Sequence, residues 1–291
     1  MSLYNNKYQA KNDFLITEAP TTIKPKIKKK EAKSRLKKIR KELAHLQDVM
    51  YAHDRYSVLI CIQGMDTSGK DSLIRRVFEK FNARGVAVHS FKIPTSIEYQ
   101  HDYLWRHYIA LPGRGKFSVF NRTHYENVLV SRVHQHNLAD EHLPDVVDTD
   151  HLPTDFWTKR FEQINNFEKH LAENGTIIFK YFLHISKEEQ KNRILRRLNN
   201  EDKNWKFSPS DLSERKKWDE YMQYYEDAIR HTSTDNAPWY TVPADNKWVA
   251  RYIVAKILLE VLSQRKDIKY PELPEKIMNN IKSYKKELEN E

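Results

Sequence analysis

The sequence predicts an α/β fold, a parallel sheet with helices on both faces. Short apolar runs alternate along the chain with amphipathic segments of helical length, the rhythm of strand–helix–strand units. Two of the runs, Ser57–Ile62 and Thr176–Ile185, are almost continuously apolar, as strands buried on both faces are. A glycine-containing turn leaves the first of them and opens a helix. Right-handed crossovers between such strands place helices on both sides of the sheet.

Residues 1–30 are polar and basic, with Lys24, Lys26, Lys28, Lys29 and Lys30 at their end, and are read as an extended arm. From Glu31 to Met50, Leu36, Ile39, Leu43, Leu46 and Met50 recur at spacings of three and four, one face of a helix. Ser57–Ile62 is the first strand, and the helix after its turn runs to about Phe81. Val86–Phe91 is a second strand, His101–Leu111 an aromatic helix and Lys116–Asn121 a third strand. Asp155–Glu173 is a long helix with Phe156, Phe161, Ile164, Phe167 and Leu171 on one side. After the strand Thr176–Ile185, Ser186 caps a helix with Glu189 three residues on, a capping box. Asn199–Trp218 is polar and charged, breaks the rhythm and reads as a flap. Trp239–Val242 is a last strand, and Lys247–Gln264 a closing helix with Val249, Ile253, Ile257, Leu258 and Val261. The final stretch, 271–291, is a solvated helix or tail.

Composition narrows the function classes. The chain has 291 residues, 39% hydrophobic, with only 6 glycines, so a sizeable core is available and disordered or fibrous readings fail. Its one cysteine, Cys61, excludes a disulfide framework and a cysteine-based zinc site, and sits in an apolar run as an inert thiol would. There is no apolar stretch of about 18 residues to span a bilayer and no signal-peptide core at the start, so a cytoplasmic setting is expected. The net charge of +10 points to anionic partners without choosing among them.

Gly64-Met65-Asp66-Thr67-Ser68-Gly69-Lys70-Asp71 has the spacing G-x-x-x-x-G-K, after a predicted strand and before a predicted helix, the context of a phosphate-binding P-loop. Glycines let backbone amides approach phosphate oxygens, the helix N-terminus completes an anion nest, and Lys70 adds a point charge. An ordinary strand–turn–helix with a surface lysine is the plainer alternative. Asp71 stands where a Mg²⁺-binding Ser or Thr is usual, with Ser72 behind it. Asp66 lies inside the loop, where a carboxylate makes sense if it holds a metal ion against the phosphates. At the end of the third strand come Asn121 and Arg122. An acid there holds Mg²⁺ in P-loop enzymes; here the position is an amide, and Arg122 offers a planar fork for a phosphoryl group. A plain strand end starting a helix explains the same pair.

Five segments in the same order, GMDTSGKD, VFNRTHYENVLVSRV, HISKEEQKNRILRRL, WKFSPSDLSERKKWDEYMQYYEDAI and APWYTVPADNKWVARYIV, resemble the second family of polyphosphate kinases, from about residue 30 to 265. The resemblance implies a P-loop kinase-like three-layer α/β/α sandwich, spanning about 31–270, with a helical lid at about 186–218. It implies reversible, Mg²⁺-dependent transfer (Mn²⁺ being a possible substitute) of the terminal phosphoryl group of inorganic polyphosphate to a nucleotide. Asp66, Lys70, Asn121 and Arg122 match the catalytic positions, with Asp66 and Asn121 toward the metal. Asn121 stands where many members have Asp, similar to the subclass that accepts both AMP and ADP and so reaches ATP. Gly64, Thr67, Ser68, Gly69, Asp71 and Ser72 would cradle phosphate, joined from the lid by Arg193, Arg197 and Lys206. Glu126 would hold metal or orient the nucleotide. Arg196 faces elsewhere and reads as a solvated charge, and His124 as a structural, hydrogen-bonding residue. The family tends toward dimers and tetramers; nucleic acid and membranes are not expected partners. Transfer would be direct and in-line, because phosphoryl transfer needs positioning and charge neutralisation rather than a covalent intermediate. Three rivals share the phosphate loop or the charge: an ATP-dependent nucleoside monophosphate kinase, a basic nucleic-acid-binding protein, and a scaffold that retains an inactive phosphate loop.

Overall fold

The computed structural model describes residues 4–23 and 28–291; Lys24 and Lys26 of the basic arm lie outside them. Among the described residues five strands form one parallel sheet in the order β2-β3-β1-β4-β5. They are β1 (Ser57–Gln63), β2 (Val86–Ser90), β3 (Phe117–Asn121), β4 (Thr176–His184) and β5 (Trp239–Pro243). The central strand β1 pairs with β3 from Val58–Phe117 to Ile62–Asn121, and with β4 from Ser57–Thr176 to Gln63–Phe182. All of β1 is buried, which is why its sequence shows no alternation. The connection that leaves β1 runs past β3 to β2, whereas the one that leaves β3 crosses β1 to reach β4, so the crevice beyond the carboxyl ends of β1 and β3 is a topological switch point.

Helices cover both faces. On one side α1 (Lys29–His53) buries Leu36, Ile39, Leu43 and Met50. It packs with α2 (Lys70–Val77) and α8 (Lys247–Gln264) over Val58, Ile60 and Ile62. Leu59 and Cys61, which alternate with those residues, face the other way, toward Phe167 and Leu171 of α4 (Phe156–Glu173). With α4 go α3 (Glu126–Val133) and α7 (Trp218–Thr232). The three layers are those the sequence predicts. Between β4 and α7 lie α5 (Lys187–Leu198), a short turn of helix at Glu201–Asn204 and α6 (Ser210–Lys216). The polar flap is thus built largely of helices, and α9 (Glu275–Glu289) closes the chain with no buried residue.

Two segments depart from expectation. His101–Leu111 is helical only over Trp105–Tyr108. The rest turns through bonds such as Ala110 N–H to His107 O at 3.2 Å, because its rings reach into different neighbours; His107 meets Phe91 at 4.2 Å between centroids. The N-terminal arm is anchored rather than loose. Gln9 bridges Tyr240 antiparallel, Ala10 N–H donates to Trp239 O at 2.8 Å, and Ile16 N–H to Glu226 Oε2 at 2.7 Å. Tyr8, Ala10 and Ile16 are buried, so this segment shields the open edge of β5.

Candidate active site

The site grows from the carboxyl end of β1. Gly64 holds φ +146°, and a Cβ there would stand 2.8 Å from the Leu183 carbonyl oxygen; only glycine lets the loop turn this close to β4. Thr67 at φ +65° and Gly69 at φ +110° reverse the chain again before α2, which brings successive amides round one concavity. The Thr67 and Ser68 hydroxyls are buried with no partner among the described residues. Lys70, first residue of α2, folds back and donates to Gly64 O at 2.5 Å and Met65 O at 3.4 Å. Burial pushes its ammonium below the ordinary lysine value, and the Asp66 carboxylate resists that shift. Ser72 Oγ donates to Gly69 O at 3.0 Å.

The end of β3 supplies the facing wall. Arg122 sits at φ +59° and bridges two carboxylates: its Nη2 is 3.3 Å from Asp66 Oδ1 and its Nη1 3.7 Å from Glu126 Oε2. Glu126 and then Asp66 raise its pKa, against burial. Gln63, last residue of β1, donates to Glu126 Oε1 at 2.9 Å and Thr123 Oγ1 at 3.1 Å, and so ties the two strand ends together. Asn121 Nδ2 donates to Asp71 Oδ1 at 2.8 Å and Ser90 Oγ at 3.3 Å, while its Oδ1 is buried without a partner. That unpartnered oxygen, next to Asp71 and on the same cleft wall as Asp66, completes a hard-oxygen set with few charges. It fits Mg²⁺, which binds through one or two carboxylates and leaves other positions to water and phosphate.

From the lid the result is divided. Arg193 is buried, and all five of its N–H groups are taken: Nη1 by Thr67 O at 2.9 Å and Ser68 O at 2.6 Å, Nη2 by Ala244 O at 2.5 Å and Asp245 O at 2.9 Å, and Nε by Glu189 at 2.7 Å. It braces the phosphate loop from behind; its expected place as a phosphate ligand gives way to a positioning one, since no donor is left over. Arg197 binds Asp211 Oδ2 at 3.1 Å and Lys206 O at 3.3 Å, and with Lys206 it lines the cleft. Arg196, expected to be merely solvated, lines the cleft too, steadied by Glu189 at 2.7 Å.

The cleft measures about 820 Å³ and runs from the phosphate loop over the ends of β2 and β3 to the lid. Arg75, Lys92, Lys203 and Lys247, which the sequence did not single out, share its wall; their only signal is a position just beyond a strand or loop already of interest. Lys247 is pushed down to about 8 by burial and by Arg193, Arg196 and Arg251, a cation short of anionic company. A second cavity, about 240 Å³, shares Phe91, Lys92 and Arg122 with the cleft and is lined further by Tyr99, Tyr103, Arg106 and Glu126. The aromatic side chains Trp218, Tyr221 and Tyr225 of α7 are core, and Tyr224 packs partly buried against them. His124 is fully buried and bonded to Glu168 at 3.1 Å, a structural histidine as expected.

The sequence model of polyphosphate kinase 2 matches residues 26–270. An ADP-polyphosphate phosphotransferase of Rhodopseudomonas palustris is 45% identical over 254 residues, covering 87% of this chain and 86% of the relative. An AMP/ADP-polyphosphate phosphotransferase of Meiothermus ruber is 44% identical over 234 residues, 80% of this chain and 82% of the relative. The crystal structure of polyphosphate kinase 2 from Arthrobacter aurescens superposes with a TM-score of 0.85 at 34% identity, over 94% of this chain and 93% of that one. With the loop, the strand-end pair and the lid all inside the matched span, the chain belongs to the polyphosphate kinase 2 family.

Proposed function

We propose that this protein transfers the terminal phosphoryl group of inorganic polyphosphate to ADP, and to AMP, yielding ATP by two successive additions. One observation carries the reading: among the described residues nine cationic side chains besides the fully bonded Arg193, against three carboxylates, line a single cleft at the phosphate loop. A nucleoside monophosphate has no use for such a length of positive wall, but a chain with about one charge per phosphate unit does. The names of the Rhodopseudomonas and Meiothermus relatives support the same donor, and the latter both acceptors. The small aromatic cavity beside the cleft fits the nucleoside, leaving its phosphates at Arg122 and Lys92.

In this reading Lys70 exchanges its loop carbonyls for donor phosphate oxygens, and Arg122 takes up the transferring group, held in aim by Asp66 and Glu126. Asp66 and the Asn121 Oδ1 would hold Mg²⁺, which when bound neutralises charge between donor and acceptor. The acceptor's terminal phosphate oxygen is already ionised near neutral pH, so the site needs no strong base. The lid cations exclude water and grip the donor.

The test is chromatographic: purified protein, Mg²⁺, long-chain polyphosphate, and AMP or ADP. ADP and ATP should form from AMP only when polyphosphate is present, and Lys70→Met should lower turnover by about 100- to 1,000-fold, the usual effect of losing one transition-state donor. Transfer from ATP to AMP without use of polyphosphate would replace this reading with that of a monophosphate kinase.

A further inference from the structure

Beneath the strand-end pair lies a charged cluster that takes no part in the proposed chemistry. Lys180, at the centre of β4, and Glu168, on α4, are both fully buried. Lys180 Nζ spends its three N–H groups on Glu168 Oε2 at 2.6 Å, the Tyr125 hydroxyl at 2.8 Å and Thr232 O at 2.6 Å. Glu168 Oε1 accepts from the Tyr125 hydroxyl at 2.8 Å and from His124 Nε2 at 3.1 Å. Burial pushes the Lys180 ammonium down, with Glu168 resisting; Lys180 and His124 outweigh burial to hold the Glu168 carboxyl below its ordinary value. Such a pair is poor evidence of stability, because apolar residues of similar volume usually serve a core as well or better.

Its place in the chain says more. Arg122 and Glu126 are the two ends of one five-residue turn, and His124 and Tyr125 lie between them. Arg122 holds φ +59°, a conformation that a residue with a side chain keeps only when its surroundings over-determine it. The Arg122 side chain is half exposed, so the constraint comes from its downstream neighbours: Thr123, His124 and Tyr125 have no exposed surface. Thr123 Oγ1 accepts from Gln63 Nε2 and from Tyr125 N–H, both at 3.1 Å. The two rings are then pinned from below by Glu168 and Lys180.

We infer that the buried Glu168–Lys180 pair is a positioning device, which fixes the turn after β3 through His124 and Tyr125 and so aims Arg122 at the transferring phosphoryl group and Glu126 at Arg122. The inference rests on the phosphoryl-transfer reading of Arg122. Neither residue touches substrate, and a loss should therefore appear in turnover and not in the hold on the donor, which the remote cations of the cleft supply.

The test uses the double variant Glu168→Leu/Lys180→Met, since each single change strands a buried charge and endangers folding. The double variant should melt within a few degrees of the parent. Its kcat should fall at least 10-fold with the KM for polyphosphate changed less than 2-fold, and Tyr125→Phe, which cuts one of the two links, should lose less. A crystal structure of the double variant should show Arg122 out of the left-handed region and beyond reach of Asp66. Parent kcat in the folded double variant, or Arg122 still at its left-handed φ against Asp66, overturns the inference. The crystal readout needs no substrate, so it stands apart from the donor assay: a parent protein inactive with polyphosphate would sink the proposed function, while the position of Arg122 would still decide this point.

Discussion

At the scale of single residues, Asn121 shows how one amide can settle a balance of charge. Its Nδ2 donates to Asp71 at 2.8 Å, so Asn121→Asp would set two carboxylates face to face and add a negative charge beside the acceptor's phosphates. At effective dielectric constants near 20 a unit charge several ångströms away is worth on the order of 1 kcal/mol or more. We expect the variant to lower use of ADP, the more highly charged acceptor, about 3- to 10-fold more than use of AMP, with the melting point little moved. An unchanged AMP/ADP ratio in competition assays would free the position from that role. The residues that meet at the site were largely legible, because the spacing of Gly64, Gly69 and Lys70 and the strand-end place of Asn121 and Arg122 carry their own physical reasons. Arg193 was not. Helical spacing showed that it shares a face with Arg197, but only the folded chain shows that backbone carbonyls take its guanidinium donors. Lys180 is hidden in another way: a lone lysine in an apolar run says nothing of its partner, and Glu168 is set opposite it by the packing of α4 on the sheet.

At the scale of elements, β1 and β4 declared themselves by nearly continuous apolar runs, and α1, α4 and α8 by period, since burial imposes both patterns. The aromatic stretch before β3 misled, because rings at helical spacing also suit a winding segment that lines a cavity, as His101, Tyr103 and His107 do. The junction of β1 with α2 concentrates the strain. Gly64→Ala would combine an unfavourable φ with a contact 2.8 Å from the Leu183 carbonyl, costing about 1–3 kcal/mol and lifting the loop away from β4. The expected outcome is a lower melting temperature together with a larger loss of kcat than of acceptor affinity. A variant that melts with the parent and turns over normally would show that the loop needs no glycine there.

At the scale of the whole molecule, the chain carries a net charge of +10, and Lys and Arg on the phosphate loop, the lid and the start of α8 converge on one cleft where a polyanion would lie. Attraction of that kind is screened over about 10 Å at 0.1 M salt. Raising potassium chloride from 50 to roughly 300 mM should increase the KM for long polyphosphate severalfold and change kcat far less. Equal effects on both, or none, would mean that long-range charge does not gather the donor. The docking of the N-terminal segment on β5 left no trace in sequence, because backbone bonds such as Ala10 to Trp239 do not depend on side-chain type. The bracing by Arg193 has a mechanical consequence. It rivets the middle of α5 to the phosphate loop and to the chain just past β5, and Arg215 fastens α6 to the start of α5 by bonds of 2.7 Å to Lys187 O and Gln190 Oε1. Swinging either helix whole would tear these joints, so any opening of the cover is confined to the span between them, residues 199–209, which carries Lys203 and Lys206 and is itself tied to α5 at Lys206 O by Arg197: a flap sewn down along both sides.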